Sequence, residues 1–350
     1  MSEIKFLTHT LRLGKCDDIP EVINFIKEEW NENHIYVKNR EFFEYEHFID
    51  GRLNGILAID NAHSKIDGIM LFYQTKEELE GADFFGGIWR VSARCKVPML
   101  GMKMVYLVKE LTGVRGHNGI GINPETTVPL FRHVGGQRIG KLSHYYRLAD
   151  LDTYRVAVVQ NKRIRRFKEY PGCKLENIVK IEQLKNNFIL PKYDATFPYK
   201  DWWYIEKRYF RHPIYQYQVY GIRTGKGMEG ILVAREIQQN GGKILRIVDF
   251  IGNRFCIAKI GCGIQRLIEE KQYEYVDFYE YGIEDELLEA AGFIKREEAD
   301  QNIIPNYFEP FLCRNIDLWF HSPYGNFTIF KGDGDQDRPN IIHGTEQVPG

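Results

Sequence analysis

The sequence lacks most of the features that assign a chain to a specialised class. Its six cysteines form no C-x-x-C pair and no zinc-knuckle spacing, so we expect reduced thiols and no bound metal. No apolar run approaches the ~20 residues of a membrane span. The opening residues, MSEIKFLTHT, lack the apolar core of a signal peptide. These absences predict a cytoplasmic protein that is not inserted in a membrane.

An excess of charge of one sign is also missing. The chain carries 47 basic and 48 acidic residues, for a net charge of −1, so no field steers it to nucleic acid or to an anionic membrane. What it has in quantity is aromatic: 21 tyrosines and 22 phenylalanines in 350 residues, with 43% hydrophobic residues overall. This composition indicates a globular chain with enough core for about two domains.

Residues 88–138 contain the most informative pattern. A strand-like IWRVSAR leads through a loop into the amphipathic GMKMVYLVKEL, and a second strand and short helix follow, ending at Gly135 and Gly136. Pro98 suits a first helical turn, because its missing N–H has no partner there. Gly101 permits close approach to the backbone, and free N–H groups of a first turn can bind an anion. The stretch is compatible with pyrophosphate binding, although many ordinary β–α units share this geometry.

The same order of elements recurs in the second half. Gly135 and Gly292 each end a short helix, and this offset (292 − 135 = 157) places residues 88–94 on 245–251 and residues 101–111 on 258–268 without a gap. A fixed offset of this kind indicates a tandem duplication. We therefore predict two domains, residues 1–165 and 166–350.

Both halves resemble the GNAT acyltransferase fold in their order of strands and helices. The resemblance implies an α/β (α+β) protein with two tandem GNAT-type domains, each a mixed, mostly antiparallel, twisted sheet flanked by helices. The family's Q/R-x-x-G-x-G/A motif is incomplete in both copies. Residues 94–103 (RCKVPMLGMK) retain one glycine, whereas Gly261 and Gly263 come about two helical turns too late. The first half is closer to the motif, so we expect acyl-CoA there and the second substrate in the second half.

The whole chain is similar to tandem-GNAT proteins that N-acylate nucleotide-linked amino sugars for bacterial surface polysaccharides. The matching segments are residues 204–217 (YIEKRYFRHPIYQY), 247–252 (IVDFIG), 303–311 (IIPNYFEPF) and 331–340 (KGDGDQDRPN). The resemblance implies transfer of a 3-hydroxybutanoyl or acetyl group from CoA to the amine of a dTDP-linked amino-deoxy sugar, for O-antigen or capsule precursors. The expected partners are these small molecules alone, with the chain a monomer or a homodimer.

Acyl transfer requires a positioned thioester carbonyl, a neutral amine and donors that meet the oxyanion. The resemblance places the CoA arm along the unpaired strand edge around Val91 and Ala93. The phosphates are expected on the following loop and helix, at Lys96, Gly101, Met102 and Lys103. Solvated surface lysines are an equally good interpretation of Lys96 and Lys103.

The tyrosine that many GNAT enzymes use as an acid is missing, because its place reads PLFR at residues 129–132. The candidate catalytic bases are Asp249, Glu309 and His212. The alternatives are an Asp249 buried in an ion pair with Arg208 or Arg235, and a structural His212. The sugar nucleotide is expected on residues that also have an interpretation as core, namely Arg208, Tyr209, Arg211, Tyr215, Tyr217 and Tyr307.

Two other functions remain open. One is an O-acyl or aminoacyl transfer to a cell-envelope precursor, which related tandem folds carry out. The other is a binding protein without catalysis, built from two decayed GNAT folds, which the incomplete glycine motifs in both copies favour.

Overall fold

The computed structural model describes residues 3–341. In chain order, its first part contains β1 (Glu3–Phe6), β2 (His9–Lys15), α1 (Ile19–Glu29), α2 (Ile35–Lys38), α3 (Arg40–His47), β3 (Phe48–Ile49), β4 (Arg52–Asp60), β5 (Lys65–Gln74), β6 (Asp83–Val91), α4 (Leu100–Tyr106), α5 (Val108–Thr112), β7 (Gly116–Ile120), α6 (Thr127–Val134), β8 (Arg138–Lys141) and β9 (Ser143–Leu148).

The rest of the chain repeats this alternation. It contains β10 (Lys174–Ile178), α7 (Ile181–Lys185), α8 (Trp202–Ile205), β11 (Gln218–Thr224), β12 (Gly227–Gln239), β13 (Gly242–Gly252), α9 (Gly261–Lys271), β14 (Tyr275–Tyr281), α10 (Asp285–Ala290), β15 (Ile294–Lys295), β16 (Tyr307–Phe308), β17 (Phe311–Leu312), β18 (Trp319–Ser322) and β19 (Ile329–Phe330). A 3₁₀ turn, Arg254–Lys259, precedes α9, and a π-helical turn, Glu206–Phe210, extends α8.

The strands form two large sheets that exchange one strand each. The first sheet has the order β1-β2-β4-β5-β6-β7-β18-β8, and the second has β10-β11-β12-β13-β14-β9-β15. Thus β9, from the first part of the chain, lies between β14 and β15. In return β18, from the end of the chain, lies between β7 and β8. This exchange crosses the predicted boundary at 165/166, so that division remains a proposal about where each substrate binds.

Helices cover both faces of each sheet. On the first sheet, α1 buries Ile19, Val22, Phe25 and Ile26 against one face, which confirms the amphipathic helix that the sequence predicts there. Residues of α4, α5 and α6 pack on the opposite face. Only β6–β7 and β13–β14 pair in parallel among the strands of the two sheets within residues 3–341. The predicted fold class, mostly antiparallel sheets flanked by helices, is therefore confirmed.

Two local predictions were wrong. The helix expected over residues 101–111 is interrupted at Leu107, between α4 and α5. The apolar residues of the segment 177–184 (NIVKIEQL) predict a strand, but the strand ends at Ile178 and α7 follows. The repeat also needs a larger offset at the strands, because the last parallel pairs, Phe85–Asn118 and Ile247–Phe278, lie at equivalent places. Their offsets are 247 − 85 = 162 and 278 − 118 = 160, not 157. Within residues 3–341, no helix has both the length and the apolarity to cross a membrane.

Candidate functional site

Both sheets open at an equivalent place. The parallel pairing of β6 with β7 ends at Phe85–Asn118, and that of β13 with β14 ends at Ile247–Phe278. Where two parallel strands separate, the peptide groups on the facing edges lose each other as hydrogen-bond partners. Each half therefore has a gap between strands, which we call the first gap (beyond Phe85) and the second gap (beyond Ile247).

The second gap contains a cavity of about 180 Å³. Phe250, Ile251 and Gly252 of β13 line one side, and residues 326–328 line the other, with Lys200 and Arg254 also at its wall. The N–H of Asn253 donates to the Glu229 carbonyl on β12 at 2.9 Å. Because ladder bonds alternate along an antiparallel strand, the peptide groups of Phe250 and Gly252 point away from β12, to the side of the cavity, where the Phe250 N–H donates to the Asp249 carboxylate at 2.7 Å.

Residues 330–332 close the narrow part of the second gap. Phe330 of β19 pairs with Glu280 of β14. The N–H of Lys331 then donates to the Tyr279 carbonyl at 3.3 Å, and that of Gly332 donates to the Val248 carbonyl at 2.8 Å. This segment thus bonds to both diverging strands and leaves the cavity open only beyond Val248.

A buried charge cluster lies beside the cavity. Lys200 Nζ contacts Asp249 Oδ1 at 2.5 Å and also contacts Asp333, and all three side chains are nearly inaccessible. Asp249 accepts two further hydrogen bonds, from Tyr209 Oη at 2.5 Å and from the Phe250 N–H at 2.7 Å. Burial raises the pKa of Asp333, and the charge of Asp249 adds to the rise. A carboxylate of this kind can hold a proton near neutral pH.

Asp249 is therefore buried and ion-paired, but not with the partners that the sequence suggested. Arg208 donates instead to Tyr217 Oη at 2.5 Å and to the Asp337 carbonyl at 2.7 Å, and Arg235 pairs with the Asp337 carboxylate at 2.7 Å. Burial opposes the charge of Asp337, but Arg235 outweighs it and holds the pKa of this carboxyl well below its usual range. The catalytic role of Asp249 remains a prediction.

The predicted sugar-nucleotide residues fall into two groups. Arg208 and Tyr209 are buried within these networks and Tyr217 is half-buried, whereas Arg211 is exposed and paired with Glu206. A smaller cavity of about 20 Å³ brings together three other candidates, Tyr215, Tyr307 and Glu309. Arg235 and Gln336 also line this small cavity, and Tyr307 donates to Gln336 at 2.6 Å.

His212 acts as the cap of a turn. Its Nδ1 accepts hydrogen bonds from the N–H groups of Ile214 (3.2 Å) and Tyr215 (2.9 Å), and its Nε2 lies 3.6 Å from Glu46. Burial lowers the pKa of His212 to about 3, and the charge of Arg208 lowers it further. With Nδ1 accepting, the ring proton lies on Nε2, so the ring as placed here has no free basic nitrogen. Its role as a base remains a prediction.

The surroundings of the first gap differ. Phe131 of α6 stacks on His321 of β18, the strand beyond β7, with ring centres 3.6 Å apart. The Ala93 N–H donates to Glu29 at 3.2 Å, and Ser92 Oγ donates to the same carboxylate at 2.6 Å. The bond from Ala93 uses a donor that the sequence assigns to CoA.

The predicted loop and helix residues of the first half face different ways. A Cβ on Gly101 would lie 3.3 Å from Val91, so this glycine allows α4 to pack closely on β6. Met102 is buried, and Lys103 Nζ lies 5.6 Å from the ring centre of Phe6. Lys96 is exposed. The structure thus brings Val91 and Gly101 together without forming a continuous row with the two lysines.

Sequence reasoning missed Lys200, Asp333, Asp337 and Arg338. The last three belong to KGDGDQDR, a run that looks like a solvated tail, and yet the side chains of all three are buried. No local pattern distinguishes such a run from an exposed one, because its partners, Lys200, Arg235 and Glu46, come from distant elements.

Comparison with known proteins identifies the fold. No family model and no curated protein sequence matches this chain. Among solved structures, a GCN5-related N-acetyltransferase from Anabaena variabilis ATCC 29413 aligns with a TM-score of 0.51 at 12% identity, over 89% of this chain and 72% of that one. A probable N-acyltransferase of unknown function from Enterococcus faecalis V583 aligns at 0.52 and 11%, with the same coverage. The predicted architecture of two tandem GNAT-type domains is confirmed.

Proposed function

We propose that this protein transfers an acyl group from acyl-CoA to the amine of a dTDP-linked amino-deoxy sugar. The observation that carries the proposal is the cavity of the second gap, which has a strand edge on one side and a charge cluster beside it. The pantetheine arm of CoA contains two amides and can pair with such an edge as a strand would. The names of the two structural neighbours agree with acyl transfer.

The geometry favours the second gap as the place where acyl-CoA binds. The Gly252 peptide faces the cavity, whereas the Phe250 N–H is bonded to the Asp249 carboxylate. Arg254, which pairs with Glu284 at 2.9 Å, lies at the cavity wall and carries a positive charge for the CoA phosphates. The sequence favours the first half, through Val91, Ala93 and the loop that follows them. That arrangement remains the competing one, although its backbone donor at Ala93 is bonded to Glu29.

The chemistry requires few groups. Backbone N–H groups of the splayed strand would stabilise the oxyanion, an effect worth ~10²–10³ in rate. The leaving thiolate has a pKa near ~8.5 and can depart to solvent without a dedicated acid. The attacking amine must lose a proton. Among the candidate carboxylates, Glu309 lines the smaller cavity, whereas Asp249 and Asp333 are fully buried in the Lys200 cluster.

We place the acceptor sugar at the residues around the smaller cavity, which at about 20 Å³ has room for one water molecule and would have to widen to admit a nucleotide sugar. Tyr215 and Tyr307 offer aromatic surface for a pyrimidine base, and Glu309 offers a carboxylate for the sugar ammonium. Support for a nucleotide-linked amino sugar comes from the resemblance of residues 204–217 and 303–311 to proteins with that activity, because both segments contribute to this cavity.

Thermal unfolding with added ligands tests the proposal. Acetyl-CoA or 3-hydroxybutanoyl-CoA at ~100 times its Kd should stabilise the protein by ~2.7 kcal/mol. Mass spectrometry of mixtures with dTDP-amino sugars should then detect an N-acylated product. An O-acylated product or transfer of an aminoacyl group would indicate the other transferase functions, and absence of any ligand-induced shift would disprove the enzyme proposal.

A matched pair of charge reversals tests where CoA binds. Arg254→Glu and Lys96→Glu each reverse one exposed or half-exposed charge after the splayed strand of one half. Replacing an attraction by a repulsion at such a site costs about 1–2 kcal/mol, which is roughly a tenfold loss of affinity. We expect the loss for Arg254→Glu alone. A loss confined to Lys96→Glu would place CoA in the first half.

A further inference from the structure

Three side chains with metal-binding donors converge at one end of the first sheet. His9 begins β2, Asp67 lies on β5, and Cys95 lies in the loop between β6 and α4. His9 Nε2 is 3.1 Å from Asp67 Oδ2 and 4.0 Å from Cys95 Sγ, and the three donor atoms all lie within 4.8 Å of one another. The residues are 58 and 86 positions apart from His9 in the sequence, so the fold brings them together.

The donors point to a common centre rather than forming a relay. In a nucleophilic triad the histidine uses one ring nitrogen for each partner, whereas here Asp67 and Cys95 both approach Nε2. The other ring nitrogen, Nδ1, lies 3.1 Å from Thr8 Oγ1. A polar partner at the second nitrogen is the usual arrangement around a metal-bound histidine, where it fixes the tautomer.

The nearby Arg94 leaves the Asp67 oxygen that faces His9 available to bind a metal ion. Arg94 Nε lies 3.6 Å from Asp67 Oδ1, the oxygen that points away from His9. The imidazole of His9 is buried, and the side chain of Asp67 is 13% exposed. Cys95 is half-buried. The cluster is therefore shielded on the protein side and accessible from one direction.

We propose that His9, Asp67 and Cys95 bind a zinc ion, with a fourth position open to solvent. Zinc bonds of ~2.0–2.1 Å to nitrogen and oxygen and ~2.3 Å to sulfur place tetrahedral ligands about 3.3 Å (N to O) and 3.5 Å (N to S) apart. The observed distances, 3.1 and 4.0 Å, differ from these by a few tenths of an ångström. A thiolate with an imidazole selects zinc rather than magnesium or calcium.

The ion would hold the loop of residues 92–99 to β2 and β5. Sequence reasoning predicts no metal, because the three residues lie in separate elements and form no motif. The site does not depend on acyl transfer. It would make this first-half loop a tethered structural element, and among residues 3–341 the second half has no comparable group of His, Cys, Asp and Glu donors.

Titration of the full chain with metal alone tests the site. After removal of metal by a chelator, we expect one equivalent of Zn²⁺ to bind. Co²⁺ in its place should produce the near-ultraviolet charge-transfer band of a cobalt thiolate. Cys95→Ser should remove this band and weaken Zn²⁺ binding at least ~100-fold. Cys173→Ser, which changes a half-buried thiol in the second half, should bind like the unchanged protein.

X-ray absorption of the unchanged protein loaded with zinc covers the case in which Cys95→Ser fails to fold. The proposal requires one sulfur at ~2.3 Å and nitrogen or oxygen neighbours at ~2.0–2.2 Å. A spectrum without sulfur would overturn it, as would undiminished Co²⁺ binding by a folded Cys95→Ser. Either result would leave an ordinary ion pair between His9 and Asp67.

Discussion

The two sheet gaps share a backbone and differ in what fills them. Beside the first gap, Phe131 of α6 stacks on His321 of β18, and burial lowers the pKa of His321 well below its usual range. In the second gap, residues 330–332 insert between the strands, and Lys200, Asp249 and Asp333 lie buried beside the opening. The same strand geometry is thus combined with a pair of neutral rings in one half and with an inserted segment and buried charges in the other.

The more complete glycine motif and the cavity of about 180 Å³ lie in different halves of the chain. The motif concerns the loop after the splayed strand, whereas the cavity depends on what enters the gap. Gly101, the one motif glycine in the first half, is needed for packing against Val91. The second half lacks that glycine in its loop, yet its gap has a cavity of about 180 Å³.

The largest expected effect is at the charge cluster of the second gap. Lys200→Met should lower the free energy of unfolding by about 3–5 kcal/mol, because it leaves Asp249 and Asp333 buried without their cation. A neutral buried ring beside the first gap provides the comparison, because His321→Leu removes the stack on Phe131 and the 3.2 Å hydrogen bond to Gln137 and should cost about 1–2 kcal/mol. Urea unfolding of both variants measures the difference. Equal losses would show that the charges of the second gap contribute no special stability.

The next effect depends on pH and on a position that differs between the two gaps. Ile120 in the first gap and Glu280 in the second each lie two residues beyond the last parallel pair, so an apolar side chain in one half corresponds to a carboxyl group in the other. Burial raises the pKa of Glu280 to about 8, with a further rise from Asp285. Because the folded pKa exceeds the unfolded one, near ~4.3, the folded state binds the extra proton. The contribution of Glu280 to stability is therefore greatest below about pH 4.3 and is lost as pH rises through 8.

Glu280→Gln should remove this decline and stabilise the protein by a few kcal/mol at pH 8. Thermal unfolding from pH 5 to 9 checks the slope, with the surface variant Glu269→Gln as a control that should retain it. If the profile of Glu280→Gln matched that of the unchanged protein, Glu280 would be ionised in the folded state.

Because residues 330–332 insert into the second gap, we expect alanine substitutions at Gly332 and at the nearby Gly334 to differ in their cost to stability. A Cβ at Gly332 would lie 2.7 Å from the Val248 carbonyl, whereas a Cβ at Gly334 would make an ordinary 3.4 Å contact with Ile120. Gly332→Ala should therefore cost about 1–3 kcal/mol, and Gly334→Ala much less. Chemical denaturation measures both. Similar small costs for the two would mean that the segment does not bond to β13 as described.

How much of this arrangement the sequence can predict depends on the range of the interactions. Local patterns predict α1 and the β4–β5 hairpin because apolar spacing and turn residues act over a few positions. The offset between Gly135 and Gly292 reveals the duplication, although its register is off by 3–5 residues at the strands. The exchange of β9 and β18 has no local signal, since both strands are short and almost wholly buried, and only tertiary pairing decides their sheet.

The candidate site also contains features that local sequence patterns reveal and contacts that they do not. Asp249 attracts notice as a carboxylate within a buried strand, but its partner Lys200 lies 49 positions earlier in an irregular segment. His9, Asp67 and Cys95 are equally dispersed. Side chains that meet only through β-sheet pairing between distant strands cannot be recognised from spacing in a single sequence.

The smallest effect concerns the loop of the first gap. Glu29→Ala removes the acceptor of the Ser92 hydroxyl and the Ala93 N–H, and should cost about 1–2 kcal/mol. The hydrogen bond from Ser92 lowers the pKa of Glu29, and the one from Ala93 contributes. This stability is present above the unfolded pKa of ~4.3 and is lost as pH falls below it. The neighbouring Glu28→Ala, which leaves these bonds intact, is the control in thermal unfolding at pH 7 and pH 3. If Glu29→Ala also gained affinity for acyl-CoA, the freed Ala93 N–H would indicate that the first gap binds the donor after all.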